Sequence, residues 1–139
     1  MPATYRIDTQ RGIVFGTAWG ILTRDEVDNY VLDLMADPDF HPNCLNLFDA
    51  LLVEELDMTT SDIQRIGSYE LFRPETRQAY LAEKDRVYGI AQMIGDIQQR
   101  IPNTVAVCRT ENEAFQWLGI ENRRRPPTAF NAMRRLKDR

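Results

Sequence analysis

The sequence is poor in the residues on which metal and disulfide chemistry depends. Only two of its 139 residues are cysteine and one is histidine. Cys44 and Cys108 both lie in apolar, strand-like runs, which predicts two reduced thiols buried in the core. His41 lies in a loop between Phe40 and Pro42. A soft-metal site and a Ser-His-Asp triad both need more ligands or bases than this chain supplies. We therefore expect no metal, no cofactor and no nucleophilic triad.

Long apolar runs and a targeting pattern are also missing. No run approaches the ~20 apolar residues that a helix needs to cross a bilayer. The first residues, Met1 to Arg6, do not place a cationic stretch before an apolar one, as a signal peptide would. With 43% hydrophobic and 27% charged residues, the composition is that of an ordinary globular domain. These features predict a cytoplasmic protein without a transmembrane segment.

The net charge of −4 conceals two regions of opposite sign. Residues 121–139 hold seven basic and two acidic residues, a charge of +5, and residues 1–120 hold 10 basic and 19 acidic residues, a charge of −9. We predict one domain over residues 1–120 and a basic tail over 121–139, partly disordered or docked. An acidic domain does not suit phosphate contacts, so we expect no nucleic-acid binding. The tail has two interpretations. A short helix from Thr128 could dock on an acidic partner or an anionic surface, or the segment could fray or fold back on its own domain or a sister subunit.

Strands and helices alternate along residues 1–120 after an initial hairpin. Thr23 and Glu26 form a capping-box pattern, as do Thr110 and Glu113, and Gly119 follows the last helix as a C-terminal glycine should. Gly16 and Gly20 suggest a bulge or a close backbone approach. The predicted order is β-β-α-β-α-β-α-β-α, an α/β fold with a mixed, mostly parallel sheet. We predict that the third strand ends near Asp49 and that residues 54–57 form a solvated loop.

The candidate site follows from the general placement of ligands at the carboxyl ends of parallel strands. The residues expected at that rim are Asp49, Lys84, Arg86, Tyr88 and Arg109. An enzyme would use Asp49 as a base and the cationic side chains to hold an anion. The alternative is structural, since an aspartate after a strand usually caps a turn and exposed Lys and Arg are usually solvated. A third possibility is an apolar patch or pocket formed by Tyr88, Met93 and Phe48.

Short motifs along the domain resemble those of small bacterial STAS/SpoIIAA-like proteins. They are Tyr5–Asp8, the Gly12 turn, Trp19-Gly20, Ala36–Phe40, Phe48-Asp49, Val87–Ala91 and Glu113–Leu118, over residues 4–120. The resemblance implies a sheet wound with packed helices and a non-enzymatic role, because better-known relatives bind partner kinases or act as modules of transporters and sensors. In anti-sigma antagonists a phosphorylatable Ser or Thr follows the central Asp. Here Asp49 is followed by Ala50-Leu51-Leu52, so phospho-switching is not expected.

Three functions stay open. The sequence favours a non-enzymatic module that binds a protein partner or forms a homodimer. The second is binding of a small apolar or anionic, lipid-like ligand in a cavity between sheet and helices near Asp49, Arg86 and Tyr88. The third, an enzyme, is the least favoured.

Overall fold

Five strands form one mixed sheet, and their order in space is their order in the chain. The computed structural model describes residues 2–121, and the strands stand in the order β1-β2-β3-β4-β5. β2 pairs antiparallel with β1, and the other neighbours are parallel. The predicted element order and the mostly parallel sheet are confirmed. The elements are β1 (Ala3–Asp8), β2 (Ile13–Thr23), α1 (Arg24–Ala36), β3 (Leu45–Asp57), α2 (Thr60–Gly67), β4 (Gln78–Leu81), α3 (Asp85–Gln98), β5 (Val105–Cys108) and α4 (Glu111–Leu118).

The helices divide between the two faces of the sheet. Helices α1, α2 and α3 pack on one face, which we call the three-helix face, and α4 packs against β4 and β5 on the other, the α4 face. Alternate residues of each strand point to opposite faces. Each face therefore has its own core. The three-helix core includes Val14, Ala18, Leu22, Tyr30, Leu34, Ala50, Val53 and Val87, and the α4 core includes Ile13, Phe15, Leu47, Ala79, Leu81, Cys108 and Phe115.

Local signals place the helix starts and one helix end. The Thr23 side chain accepts a hydrogen bond from the Glu26 N–H, and the Glu26 carboxylate accepts one from the Thr23 N–H at 3.0 Å, completing the predicted capping box. Gly119 adopts the left-handed conformation (φ 72°) after α4, as predicted. The start of α3 has no such side-chain cap. Lys84 occupies the cap position without a side-chain hydrogen bond, and Asp85 is the first helical residue.

The third strand is longer than predicted. The expected end at Asp49 and the expected loop over residues 54–57 are both wrong, because β3 continues to Asp57. Its second half pairs with the end of β2, where Ile21 is opposite Glu55. β4 ends opposite Asp49, so beyond that point β3 has β2 as its neighbour on one side only. Exposed acidic residues are compatible with a strand whose hydrogen bonds come from a partner elsewhere in the chain.

Two further expectations concern the ends of the chain and the membrane. The basic tail, including the short helix predicted from Thr128, lies outside the described residues 2–121. Within that range, none of the helices has both the length and the apolar character required to span a bilayer. Cys44 and Cys108 are both buried and neither is in a disulfide.

A candidate ligand-binding cavity

One row of residues crosses the sheet on its three-helix face. Tyr5, Gly16, Phe48 and Tyr80 are direct neighbours on β1, β2, β3 and β4. Tyr30 of α1 lies over the row and meets Tyr5 and Phe48 edge to face, with ring centroids 5.6 and 5.4 Å apart. Phe48 and Tyr80 continue the contact at 6.2 Å. We call these four strand residues, together with Tyr30, the aromatic row. Tyr30 lies above Gly16, the member of the row that has no side chain.

Gly16 supplies the space that Tyr30 occupies. A Cβ placed on Gly16 would overlap the Tyr30 hydroxyl and would lie 2.8 Å from the Phe48 ring. The close backbone approach that the sequence suggested at this glycine is therefore present. The bulge suggested at Gly20 is present as well, since its φ is 66° and the strand register shifts between Gly20 and Ile21. Gly16 thus decides how deeply the α1 phenol reaches toward the sheet.

A cavity of about 120 Å³ lies between this face of the sheet and the three helices. An apolar cavity of ~150 Å³ in another protein is large enough to hold benzene. The space here therefore suits a molecule of a few heavy atoms, before any side chain moves. Most of its wall is apolar or aromatic: Leu22, Val27, Tyr30, Val31, Leu34, Phe48, Ala50, Leu56, Met58, Ile66, Leu71, Phe72, Tyr80, Val87, Ala91 and Ile94.

The remaining part of the wall is polar, and most of its groups are paired. Asn46 and Gln78 are neighbours on β3 and β4, both buried, and the Asn46 amide donates to the Gln78 side-chain oxygen at 3.3 Å. The Tyr80 hydroxyl donates to the Gln98 side-chain oxygen. Arg100 donates to the Phe72 carbonyl at 3.3 Å and lies 3.2 Å from the Glu70 carboxylate. Arg100 is thus already neutralised at the surface, while Arg73, the other arginine of the wall, donates its backbone N–H to the Pro42 carbonyl at 2.9 Å.

The Tyr30 hydroxyl is the exception among these groups. It is fully buried, and no group of residues 2–121 gives it a hydrogen bond. Burial raises its pKa far above the ordinary value, with smaller contributions from Tyr80 and Tyr5. Burial also raises the pKa of Tyr80 to about 12. Both phenols are therefore neutral at physiological pH, and each carries a proton that it can donate.

An ionic network joins α1 to α2 at the outer edge of the cavity. The Tyr69 hydroxyl donates to Asp28, and the Arg65 Nε donates to the Tyr69 oxygen at 3.1 Å. Arg24 lies 3.8 Å from Asp28 and 3.7 Å from Asp62. Burial and the neighbouring Asp28 raise the pKa of Tyr69. Exposed ion pairs contribute little individually, but this set connects the two helices that cover the cavity.

Two of the residues predicted at the strand-end rim come together, at the start of α3. The Arg109 guanidinium lies 4.1 Å from the centre of the Tyr88 ring, donates to the Glu83 carbonyl at 2.6 Å and lies 3.0 Å from Asp85. The Tyr88 hydroxyl reaches the Val107 carbonyl at 3.4 Å. The contacts around Arg109 fasten the β5 end to the α3 start. Lys84 and Arg86 are exposed on the same turn of chain.

Asp49 lies apart from that group. It is 1% exposed, and its neighbours across the sheet are Thr17 and Leu81. Because Leu47 and Leu81 belong to the α4 core, strand alternation places the Asp49 side chain on the α4 face. Its carboxylate accepts a hydrogen bond from the Leu51 N–H at 2.9 Å. Tyr88 packs with the three-helix core, on the opposite face. A functional role for these rim residues stays a prediction.

The cavity itself was predicted only in outline. A space between sheet and helices was expected, and Phe48 does line it, but Tyr88, Met93, Asp49 and Arg86 do not. Met93 is instead 45% exposed on the outer side of α3. The one available signal was the presence of Asn46 and Gln78 inside otherwise apolar strands. Within residues 2–121, no group of three or more His, Cys, Asp or Glu side chains is placed to hold a metal ion.

Comparison with known proteins identifies the fold. No protein-family profile matches the sequence, and no curated protein matches it. The crystal structure of an uncharacterised protein of the DUF3478 family from Shewanella loihica PV-4, with a SpoIIAA-like fold, superimposes with a TM-score of 0.54. The match covers 84% of this chain and 93% of the other, at 14% sequence identity. This chain has a SpoIIAA-like fold. The likeness establishes the architecture of this SpoIIAA-like domain, and its function has to be inferred from the site.

Proposed function

We propose that this SpoIIAA-like domain binds a small, mainly apolar molecule in the cavity between the sheet and helices α1–α3. The observation that carries the proposal is the cavity of about 120 Å³, walled by apolar and aromatic side chains. Close packing is the rule in protein interiors, and small-molecule sites are typically apolar with a few polar groups. An unfilled cavity lowers the stability of the fold, and a bound molecule offsets that loss.

Filling the cavity tests this function. Ala91 of α3 is buried and lines the cavity, so Ala91→Leu places a larger side chain in the space. We expect the variant to lose binding of small aromatic probes such as toluene. Its midpoint of urea unfolding should rise, because filling a cavity commonly adds about 0.5–2 kcal/mol. Binding is measured by chemical-shift perturbation of the protein amides.

The matched control is Met93→Phe, which adds bulk at an exposed position on the same helix. It should bind the probe as the wild type does. If Ala91→Leu binds toluene with undiminished affinity, or if the wild type does not bind it, the cavity is not the binding site and the proposal fails.

A second candidate function is self-association through the surface between α1 and α2. Leu32 and Met35 are each 62% exposed there, beside a groove of about 380 Å³. The groove carries Arg65 together with Asp28 and Glu70. Charges of both signs around an apolar centre suit an interface that is complementary to itself, as a twofold dimer requires.

Sedimentation velocity tests the second candidate. Leu32→Glu should convert a dimer to a monomer, and Met93→Glu, an exposed apolar position outside the groove, should leave the dimer intact. A wild-type protein that sediments as a monomer across the micromolar range removes this candidate and does not affect the cavity.

A further inference from the structure

We infer that the Tyr30 hydroxyl is the polar contact of the cavity, and that it selects neutral apolar ligands carrying a hydroxyl or carbonyl oxygen. This inference rests on the proposed function and adds a ligand class to it. The evidence is the position of one hydroxyl group, the space left for it, and the pairing of the polar groups around it.

The hydroxyl stands out because of what its burial costs. A hydroxyl moved from water to an apolar interior without a hydrogen bond is destabilising, and buried polar groups are almost always paired. Tyr30 is buried, and no group of residues 2–121 pairs with its oxygen. Its ring already makes the edge-to-face contacts with Tyr5 and Phe48 that a phenylalanine would make. Packing alone therefore gives no reason for an oxygen at this position.

The surrounding chain makes room for that oxygen. The absence of a side chain at Gly16 leaves the space that the hydroxyl occupies, beside the Phe48 ring. Tyr30 and Phe48 both belong to the cavity wall. A molecule that fills the cavity next to Phe48 therefore lies beside the Tyr30 side chain, and a small movement of the Tyr30 or Phe48 ring would bring the buried hydroxyl into contact with it. A bound oxygen atom would accept the hydrogen bond that the protein does not supply.

The charges around the cavity point to a neutral ligand. Arg100, at the polar end, is engaged by Glu70 and by the Phe72 carbonyl. Asn46 and Gln78 bond to each other. An anion near Tyr30 would be buried beside two neutral phenols, and neither Arg73 nor Arg100, the arginines of the wall, acts on the Tyr30 hydroxyl, so its burial would be strongly unfavourable. A neutral hydroxyl or carbonyl group carries no such cost and is a good acceptor for a phenol.

Phenol and toluene form a probe pair that isolates this hydrogen bond. They have nearly the same shape and differ by a hydroxyl in place of a methyl group. Their dissociation constants are measured for the wild type and for Tyr30→Phe by amide chemical-shift titration. We expect Tyr30→Phe to weaken phenol binding about fivefold, the value of one net hydrogen bond. Toluene binding should change by less than about twofold, because the ring contacts stay.

The control variant is Tyr88→Phe. Tyr88 lies on α3, and its hydroxyl contacts the Val107 carbonyl outside the cavity wall. This variant should leave the affinities for both probes unchanged. An equal loss of phenol affinity in Tyr88→Phe would overturn the assignment to Tyr30.

The outcomes separate the inference from the function on which it rests. If toluene and phenol both bind the wild type, and Tyr30→Phe changes the two affinities by the same factor, the ligand class is wrong and the cavity function stands. If neither probe binds the wild type, both proposals are overturned.

Discussion

Replacing Tyr30 by phenylalanine removes one buried oxygen and leaves the aromatic ring in place. Burying an unpaired hydroxyl costs about 1–3 kcal/mol in proteins. The void left by the oxygen, ~10 Å³, costs ~0.2 kcal/mol at the usual rate for cavity volume. The ring contacts with Tyr5 and Phe48 are unchanged. We therefore expect the ligand-free Tyr30→Phe protein to be more stable than the wild type by about 1–3 kcal/mol.

The measurement is urea unfolding at pH 7, followed by tryptophan fluorescence. The midpoint should increase while the slope of free energy against urea stays the same, because the surface exposed on unfolding does not change. For a domain of this length, 1 kcal/mol corresponds to roughly 4 °C in melting temperature. Thermal melting by circular dichroism supplies the second reading.

Tyr80→Phe is the matched comparison. The chemical change is the same, but the Tyr80 hydroxyl donates to Gln98. Its removal leaves an amide oxygen unpaired and should destabilise the fold by about 1 kcal/mol. The two variants thus have opposite expected signs. A Tyr30→Phe protein less stable than the wild type, with an unchanged urea slope, would show that the Tyr30 hydroxyl has a partner in the ligand-free fold. That result would refute the reasoning.

Three further predictions concern the same domain. Gly16→Ala should cost about 1–3 kcal/mol from overpacking against Tyr30, and less in the Tyr30→Phe background; additive effects in that double-mutant cycle would contradict the proposed contact. The pKa of Tyr80 is about 12 in the fold against an ordinary 10, so above pH 10 the unfolded chain loses a proton that the folded chain keeps. Tyr80 should therefore contribute up to about 1.4 kcal/mol per pH unit to the loss of stability between pH 10 and 12, in addition to the contribution of Tyr30, so the slope should be smaller in Tyr80→Phe; equal slopes would contradict the pKa. Burial and the nearby Glu113 raise the pKa of the Cys108 thiol, so the native protein should react slowly with a thiol reagent at pH 8 and rapidly in urea, and fast native labelling of this residue would count against its burial.

The order of elements was predictable because its signals are local. The Thr23–Glu26 capping box joins residues three apart, and Gly119 lies one residue beyond the helix that it ends. Apolar spacing along each helix adds information within a few turns. Each of these features acts over less than a dozen residues, so it is visible in the chain before any tertiary structure is known.

The extension of β3 was not predictable in this way. Residues 54–57 are mostly acidic and would be solvated in isolation. They form a strand because the end of β2, about 35 residues earlier, supplies their hydrogen-bonding partners. The same extension places Asp49 within a strand rather than at its end. An expected strand-end carboxylate thus became a buried side chain on the α4 face.

Most of the cavity's lining was missed for a related reason. Tyr30, Phe48 and Tyr80 each have the spacing of ordinary core residues within their own elements. Their common row depends on the registers of β2, β3 and β4, and on the way α1 crosses them. Sequence spacing does not determine those registers. Only Asn46 and Gln78, polar residues in apolar strands, indicated that this part of the interior is not a simple core.

The aromatic row has a consequence for how the domain assembles. The row begins at Tyr5 on β1 and ends at Tyr80 on β4, where Val107 of β5 is the next residue across the sheet. The residues that must come together therefore span almost the whole sequence of the domain. Such contacts form only after long loops close, and a slip of one residue in any strand would turn a member of the row to the wrong face. We therefore expect the aromatic row to be among the last parts of the molecule to take shape. Occupancy of the cavity by a ligand would then report that β2, β3 and β4, which supply the strand residues of its wall, have reached their native registers.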